Sequence, residues 1–293
     1  MTTSKFSDRL FHLCNYGFFI LMGLVTIIPF FNLIAKSLSS EEAVISGMVG
    51  LLPVDVQFGT YVYVVKESMF VNAFKNSVIV TVVGTFLSLT VTSLAAYPLS
   101  KIRLRGRPFF ILFFVFTMLF SGGLIPTYLL IQNLGLINTL PVLFLPGAIS
   151  VFNMLVIKSY FESLPDALEE SAKMDGAINL RIFWSIILPL SLPVMATIAL
   201  FYAVGFWNDF FTAMIYVTNP SLKPLQLYLK ELLASANAVF TQVDKIDINM
   251  AMNVSPQAIQ AAAIIVATLP ILLVYPFLQK YFVKGVMIGS VKG

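Results

Sequence analysis

Apolar residues in this chain come in long runs, and polar residues collect in the breaks between them. A helix needs roughly 20 residues, at about 1.5 Å each, to cross a hydrocarbon layer. Six runs approach that length: residues 16–35, 76–99, 108–131, 140–157, 185–207 and 258–279. The pattern predicts an all-α polytopic membrane protein with six transmembrane helices. Pro141 and Pro146 blur the start of the fourth run. Pro189 and Pro193 fall in the first turns of the fifth, where proline is tolerated because early helical N–H groups lack intrahelical partners. Within the long break at 208–257, Leu225, Tyr228, Leu229 and Leu232 share one helical face. The stretch 225–236 is then either a surface for an extracytoplasmic partner or a cap over the span ends.

Composition agrees with a bilayer as solvent. Hydrophobic residues make up 58% and charged residues 11%, against about 25% charged in ordinary soluble domains. The net charge of +4 does not point to nucleic acid, because the cations lie in short clusters between apolar runs. Cys14 is the single cysteine and His12 the single histidine. They exclude a disulfide framework and supply too few ligands for a metal site. The first run, preceded by Lys5 and Arg9, resembles a signal peptide but lacks a convincing small-x-small cleavage pattern, so it reads as a retained span.

Orientation follows from Lys and Arg. With the N-terminus in the cytoplasm, twelve of the 18 basic residues fall on the inner side. Four of them, Lys101, Arg103, Arg105 and Arg107, crowd the short break between the second and third runs, where the positive-inside rule is strongest. The expected organisation is a cytoplasmic segment at 1–15, a six-helix permease domain at 16–279 and a cytoplasmic tail at 280–293. The expected location is a bacterial cytoplasmic (inner) membrane, with both termini inside.

The break between the fourth and fifth runs, about 160–189, carries the most specific pattern. Ser163 and Asp166 have capping-box spacing, with Pro165 near the helix start. Leu164, Ala167, Leu168, Ser171 and Ala172 then form one small, mildly apolar face, with Glu169, Glu170 and Lys173 outside it. Gly176 supplies a stop and a bend. A second amphipathic segment from Asn179 runs directly into the fifth span. On spacing alone this element is either a ridge that fits a groove in another protein or an interfacial loop resting on headgroups.

Here the chain resembles a known family. Glu170-Ser171-Ala172, Gly176, Ile186, Leu188 and Pro189 reproduce the EAA-loop spacing of ABC importer permeases, with Ser171 in place of the middle alanine. Asp175-Gly176-Ala177, Phe183, Trp207-Asn208-Asp209-Phe210 and the ending 281–293 are similar to the carbohydrate-uptake (MalG-like) branch. The segments 121–128 and 133–139 are similar to its LplC/YtcP-type subgroup. The resemblance implies a type I ABC importer permease fold and a sugar importer, for oligosaccharides that include uronate-containing ones. It implies a second homologous permease, two cytoplasmic ABC ATPase subunits and an extracytoplasmic solute-binding protein. Glu169, Glu170, Ser171, Ala172, Asp175, Gly176 and Ala177 would couple to the ATPases, and residues 284–293 would reach toward them.

Absent motifs fit this division of labour. No P-loop, His-Glu-x-x-His or nucleophile-elbow sequence is present. The chain is expected to be no enzyme by itself and to bind no cofactor, with ATP and Mg on the partner ATPases. Polar residues inside spans are candidates for the sugar path or for helix–helix packing. Asn153, Tyr202, Trp207 and Asn208 are the leading ones, with Asn76, Thr81 and Thr85 behind them. A secondary, ion-coupled transporter is the alternative. It is disfavoured because no acidic residue sits at the centre of a span. An intramembrane enzyme would need a convergent nucleophile or acid pair that the spans do not supply.

Overall fold

The computed structural model describes residues 5–66, 68–242 and 256–290, and within them the side chains of residues 8, 11–62, 64–66, 68–234 and 257–274. The described residues contain helices, turns and loops and no strand. They divide into two compact units, one drawn from Met1–Ser68 and Glu231–Leu269, the other from Met69–Lys230 and Pro270–Gly293.

In the first unit, α1 (Lys5–Leu38) leads into α2 (Glu41–Ile45) and α3 (Gly59–Lys66). Ser40 caps α2 by accepting from the Ala43 N–H. The Ser39 hydroxyl donates to the Ala35 carbonyl at 2.6 Å and accepts from the Val54 N–H at 3.0 Å. These bonds fold the polar break back onto the end of α1, so a buried hydroxyl has both its donor and acceptor roles filled.

The second unit holds most of α4 (Ser68–Ser100), then α5 (Arg107–Leu119) and α6 (Leu124–Asn133). The third apolar run, expected as one helix, is instead a pair bent by 110°. Phe120 is extended, and Gly123 has φ +91° and ψ 167°, a conformation open essentially to glycine alone. The Ser121 hydroxyl accepts from the Gly123 N–H at 3.2 Å, satisfying a donor that the break would otherwise orphan.

The fourth run also differs from expectation. Pro141 opens a single 3₁₀ turn, Leu140–Leu143, and α7 (Val151–Glu162) begins only after Pro146 and Gly147. At 12 residues α7 is shorter than a full span. The fifth run starts later than expected. After α8 (Ala167–Met174) and α9 (Asn179–Ile182), Phe183–Ile187 widens into a π-helical turn ahead of α10 (Leu188–Leu190). Pro189 has no N–H to continue the α-helical ladder, which accounts for the irregular turn before it. An 84° corner at Ser191 separates this segment from α11 (Leu192–Asn208), whose first turn holds Pro193. Among the described residues, three helices are long and apolar enough to span a membrane, or up to five if each bent pair is one span.

Next come α12 (Phe211–Tyr216), α13 (Leu225–Gln242) and α14 (Pro256–Ser290). The helix expected at 225–236 is present as α13, with Leu225, Leu227 and Leu229 buried. Helix α14 runs past residue 279, so residues 280–290 continue the last helix. The remainder of that tail, and residues 243–255 of the break before α14, lie outside the described residues.

Asn138 is the hub of the loop beyond α6. At φ +57°, its side-chain oxygen accepts from the Thr218 N–H at 2.7 Å and the Asn219 N–H at 3.0 Å. Its own N–H donates to the Tyr216 carbonyl, and the Tyr128 and Tyr216 rings stack at 5.9 Å alongside. Asparagine tolerates this left-handed backbone better than other β-carbon residues. Asn138→Gly keeps the backbone and removes the bonds, and is expected to cost about 1–3 kcal/mol. Asn138→Ala adds the backbone penalty, so thermal unfolding of the purified chain should rank wild type above Gly above Ala.

Candidate functional site

Two features of the second unit collect the residues singled out in the sequence. The first is a ledge of charge around α8. Ser163 and Asp166 do not form the expected capping box. Ser163 ends α7, and its hydroxyl donates back to the Tyr160 carbonyl at 2.7 Å. Asp166 is the N-cap of α8 by backbone alone. Alternation of short helices explains the difference, since a Ser three residues before an acid can also close the preceding helix.

The C-terminal end of α8 follows expectation. Gly176 has φ +78°. The Ala177 N–H donates to the Ala172 carbonyl at 2.9 Å and the Gly176 N–H to the Lys173 carbonyl at 3.0 Å, the two bonds of a Schellman stop. The expected ridge faces outward at Ala167, Leu168 and Ser171, and half-buried Leu164 and Ala172 pack on the core. Beyond the ridge, Met174 is 87% exposed and Ile178 68%.

The buried contact of α8 is a carboxylate. Glu169 is 2% exposed and paired with Lys101. Its neighbour Glu170 points outward, with Arg103 at 3.8 Å and both side chains more than 60% exposed. An exposed pair of that kind contributes under about 1 kcal/mol. Arg107 closes the ledge. Its Nε donates to the Leu99 carbonyl at 2.8 Å, capping the end of α4, while its guanidinium pairs with Glu162 at the end of α7. Lys158 reaches the same carboxylate at 2.8 Å. The sequence read residues 101–107 as a topology signal only, and their pairing with the acids of α7 and α8 had no local signal.

The second feature is a cleft of about 480 Å³ between α7 and α11. It brings together Asn153, Tyr202 and Asn208 of the predicted path residues, and adds Ser150, Phe206 and Asp209. Gly147 and Gly205 keep parts of its wall free of side chains. Tyr202 is buried and its hydroxyl is engaged. It accepts from the Ser150 N–H at 2.9 Å and shares a 2.7 Å bond with the Thr92 hydroxyl. Only its ring, stacked on Phe206 at 6.2 Å, is free to meet a ligand. The Asn208 amide donates to the Val204 carbonyl at 2.9 Å, and Asp209 accepts from the Thr212 N–H at 3.1 Å.

Trp207 does not join this cleft. Residues 202, 205, 206 and 209 share one face of the helical repeat, and Trp207 lies off it. Its ring meets Phe74 edge-on at 6.0 Å and lines a separate apolar crevice of about 220 Å³ with Thr81, Val78 and Pro270. Thr85 lies in neither feature, and its hydroxyl is buried without a hydrogen-bond partner among the described residues. Asn76 is a packing residue, its amide donating to the Ser221 and Lys223 carbonyls at 2.8 and 3.2 Å.

The polar cleft between α7 and α11 and the short, stopped helix α8 fall within residues that match a known family, and Lys101 lies just before them. Residues 102–288 match the model described as "Binding-protein-dependent transport system inner membrane component". The chain belongs to this family of transport components. It is 46% identical to Protein LplC of Bacillus subtilis (strain 168), over 98% of this chain and 96% of that one. It is 43% identical to the Polygalacturonan/rhamnogalacturonan transport system permease protein YtcP of the same organism, over 98% and 99%. A solved chain from a bacterial ABC transporter involved in the import of the acidic polysaccharide alginate superposes with a TM-score of 0.87. It is 35% identical, over 95% of this chain and 98% of that one.

In a family member of this shape the Tyr202 hydroxyl joins α4, α7 and α11. Tyr202→Phe keeps the ring in the cleft and leaves the Ser150 N–H and the Thr92 hydroxyl short of a partner. It is expected to cost about 1–3 kcal/mol, read as a lower midpoint of thermal unfolding in detergent, with apparent transport KM changing less than two-fold.

Proposed function

We propose that this transport component is one permease subunit of an ATP-driven importer of oligosaccharides, paired with a second, homologous permease. Two ATPase subunits dock from the cytoplasm, one on α8 and one on the matching helix of the second permease, and carry ATP and Mg, and an extracytoplasmic binding protein delivers the sugar. In this reading the ledge and both termini face the cytoplasm, in a bacterial inner membrane. One observation carries it. Helix α8 is a short, sharply stopped helix that presents Met174 at its end, with Ile178 just past the stop, to whatever lies beyond. Buried Glu169 fixes its inner side. A helix end with exposed apolar groups on a rigid, charged footing suits insertion into a groove of another protein.

The oligosaccharide assignment is supported by the names of the relatives and by the cleft. Polar groups at Asn153, Asn208 and Asp209 beside the rings of Tyr202 and Phe206 suit a sugar, which offers hydroxyls at its edges and C–H groups on its faces. One of the similar proteins is named for polygalacturonan and rhamnogalacturonan transport, and the superposed chain comes from a transporter involved in the import of the acidic polysaccharide alginate. Among the described residues no Lys or Arg lines the cleft, so neutralisation of a uronate would fall to the second permease or to helix N-termini.

Mechanistically, closure of the docked ATPases would draw the α8 helices of the two permeases together and turn the spans outward to receive sugar. Hydrolysis would reset the inward-facing state. Nothing lies within 4 Å of a β-carbon built on Gly176, so substitution there meets backbone strain alone within this chain. Gly176→Asn tolerates φ +78° and should preserve ATP-dependent uptake in the assembled complex. Gly176→Pro removes the N–H that closes the stop and should abolish uptake. Intact uptake in the proline variant would refute docking at this bend. Mild purification of the tagged chain should recover a homologous permease and an ATPase, whereas recovery of the chain alone would favour an ion-coupled transporter.

A further inference from the structure

Two routes join α8 to the membrane-spanning helices. The covalent route runs through α9, the π-helical turn and α10, then around the 84° corner at Ser191 into α11. A push on α8 along this route meets a compliant joint, because the corner contains Pro189, Ser191 and a turn with irregular hydrogen bonds. The Ser191 hydroxyl is buried without a hydrogen-bond partner among the described residues. The corner is braced from outside by the Tyr160 hydroxyl, which donates to the Leu190 carbonyl at 3.2 Å.

The second route is shorter and non-covalent. Lys101 is the residue after α4, and its ammonium reaches the buried carboxylate of Glu169. The same ammonium lies 5.2 Å from the Tyr97 ring centroid. Tyr97, one turn back on α4, packs on Phe183 at 5.2 Å and on Phe161 of α7 at 6.3 Å. Phe183 and Phe161 meet edge-on at 6.4 Å. A charge pair seated on three touching rings therefore ties α8, α4, α7 and the turn after α9 at one point. The adjacent acids divide their work. Glu169 faces inward at 2% exposure, and Glu170 faces outward at 64%.

We propose that Lys101 and Glu169 are positioning residues for transport, forming a clamp that makes α4 move with α8 when a partner displaces that helix. The proposal rests on the reading of α8 as the ATPase-docking helix. It assigns the drive on α4 to a buried ion pair, and leaves Glu170 and the exposed apolar end of α8 for contact with the partner. Burial is what makes the pair effective. A solvent-exposed pair exchanges for water at little cost, whereas separating a buried one strands a charge. The clamp therefore holds through the stroke while the Arg103–Glu170 pair is free to exchange.

The test uses the full complex in liposomes, with its ATPases and its binding protein. For each variant, sugar moved per ATP hydrolysed and the stimulation of ATPase activity by loaded binding protein are measured per assembled complex. Glu169→Gln and Lys101→Met should lower sugar moved per ATP by about ten-fold, within the range of ordinary coupling energies. The exchange Lys101→Glu with Glu169→Lys should restore most of it. The neutral double variant Lys101→Gln/Glu169→Gln strands no charge and guards against misfolding of the single variants. It should assemble at wild-type yield and remain uncoupled. A neutral double variant that couples like wild type would overturn the clamp while leaving docking at α8 intact. A wild-type complex whose ATPase ignores the loaded binding protein would overturn the docking reading and the clamp together.

Discussion

A chain that breaks its helices inside an apolar layer must satisfy its own backbone at every break, because no water is there to do it. That constraint organises the second unit. At the first break, the Gly123 N–H is taken by the Ser121 hydroxyl. Before α7, the Ser150 N–H is taken by the Tyr202 hydroxyl. At the corner before α11, the Tyr160 hydroxyl meets the Leu190 carbonyl. Each unsatisfied group in hydrocarbon costs several kcal/mol, so these side chains do more than decorate the spans. They fix where a span can bend, and thereby where a cavity can open.

Helix α7 relates the two candidate features. Its first turn, with Ser150 and Asn153, lines the cleft, and its last, with Lys158, Phe161 and Glu162, meets the charged ledge. At about 1.5 Å per residue, its 12 residues form a strut of roughly 18 Å between the place where sugar is proposed to pass and the place where force is proposed to enter. The ledge is polar and the cleft only partly so, which suits one end in water and the other at depth. Both ends pack on α4, through Arg107 capping Leu99 at one and Thr92 bonding Tyr202 at the other.

Much of this was legible in the sequence, and the limits have physical causes. Runs 16–35, 76–99 and 258–279 became continuous helices although Pro29, Pro98, Pro270 and Pro276 lie within them, because a long apolar helix tolerates isolated prolines. The Gly176 stop was legible because few residues but glycine suit a left-handed position. Hydropathy missed the bends in the third and fifth runs, since a window averages over Gly122-Gly123 and over Ser191 without seeing which hydrogen bonds are lost. Pro141 and Pro146 had blurred the start of the fourth run, and the structure places a 3₁₀ turn and a short helix there. The capping box at Ser163 failed because the same local pattern serves the end of one helix and the start of the next. Separation of Trp207 from the cleft residues was readable from the 3.6-residue period. Pairing of Lys101 with Glu169 was not, because charge pairs distant in sequence leave no local trace.

The central claim is that α8 is where an ATP-driven partner takes hold. Met174 is 87% exposed at the end of α8, and a photo-crosslinker placed there, in cells carrying the whole transport system, reports directly on what touches it. Docking predicts a single dominant adduct with a P-loop ATPase, with a yield that changes when nucleotide is depleted. Adducts with lipid alone, or with a second copy of this chain, would contradict it.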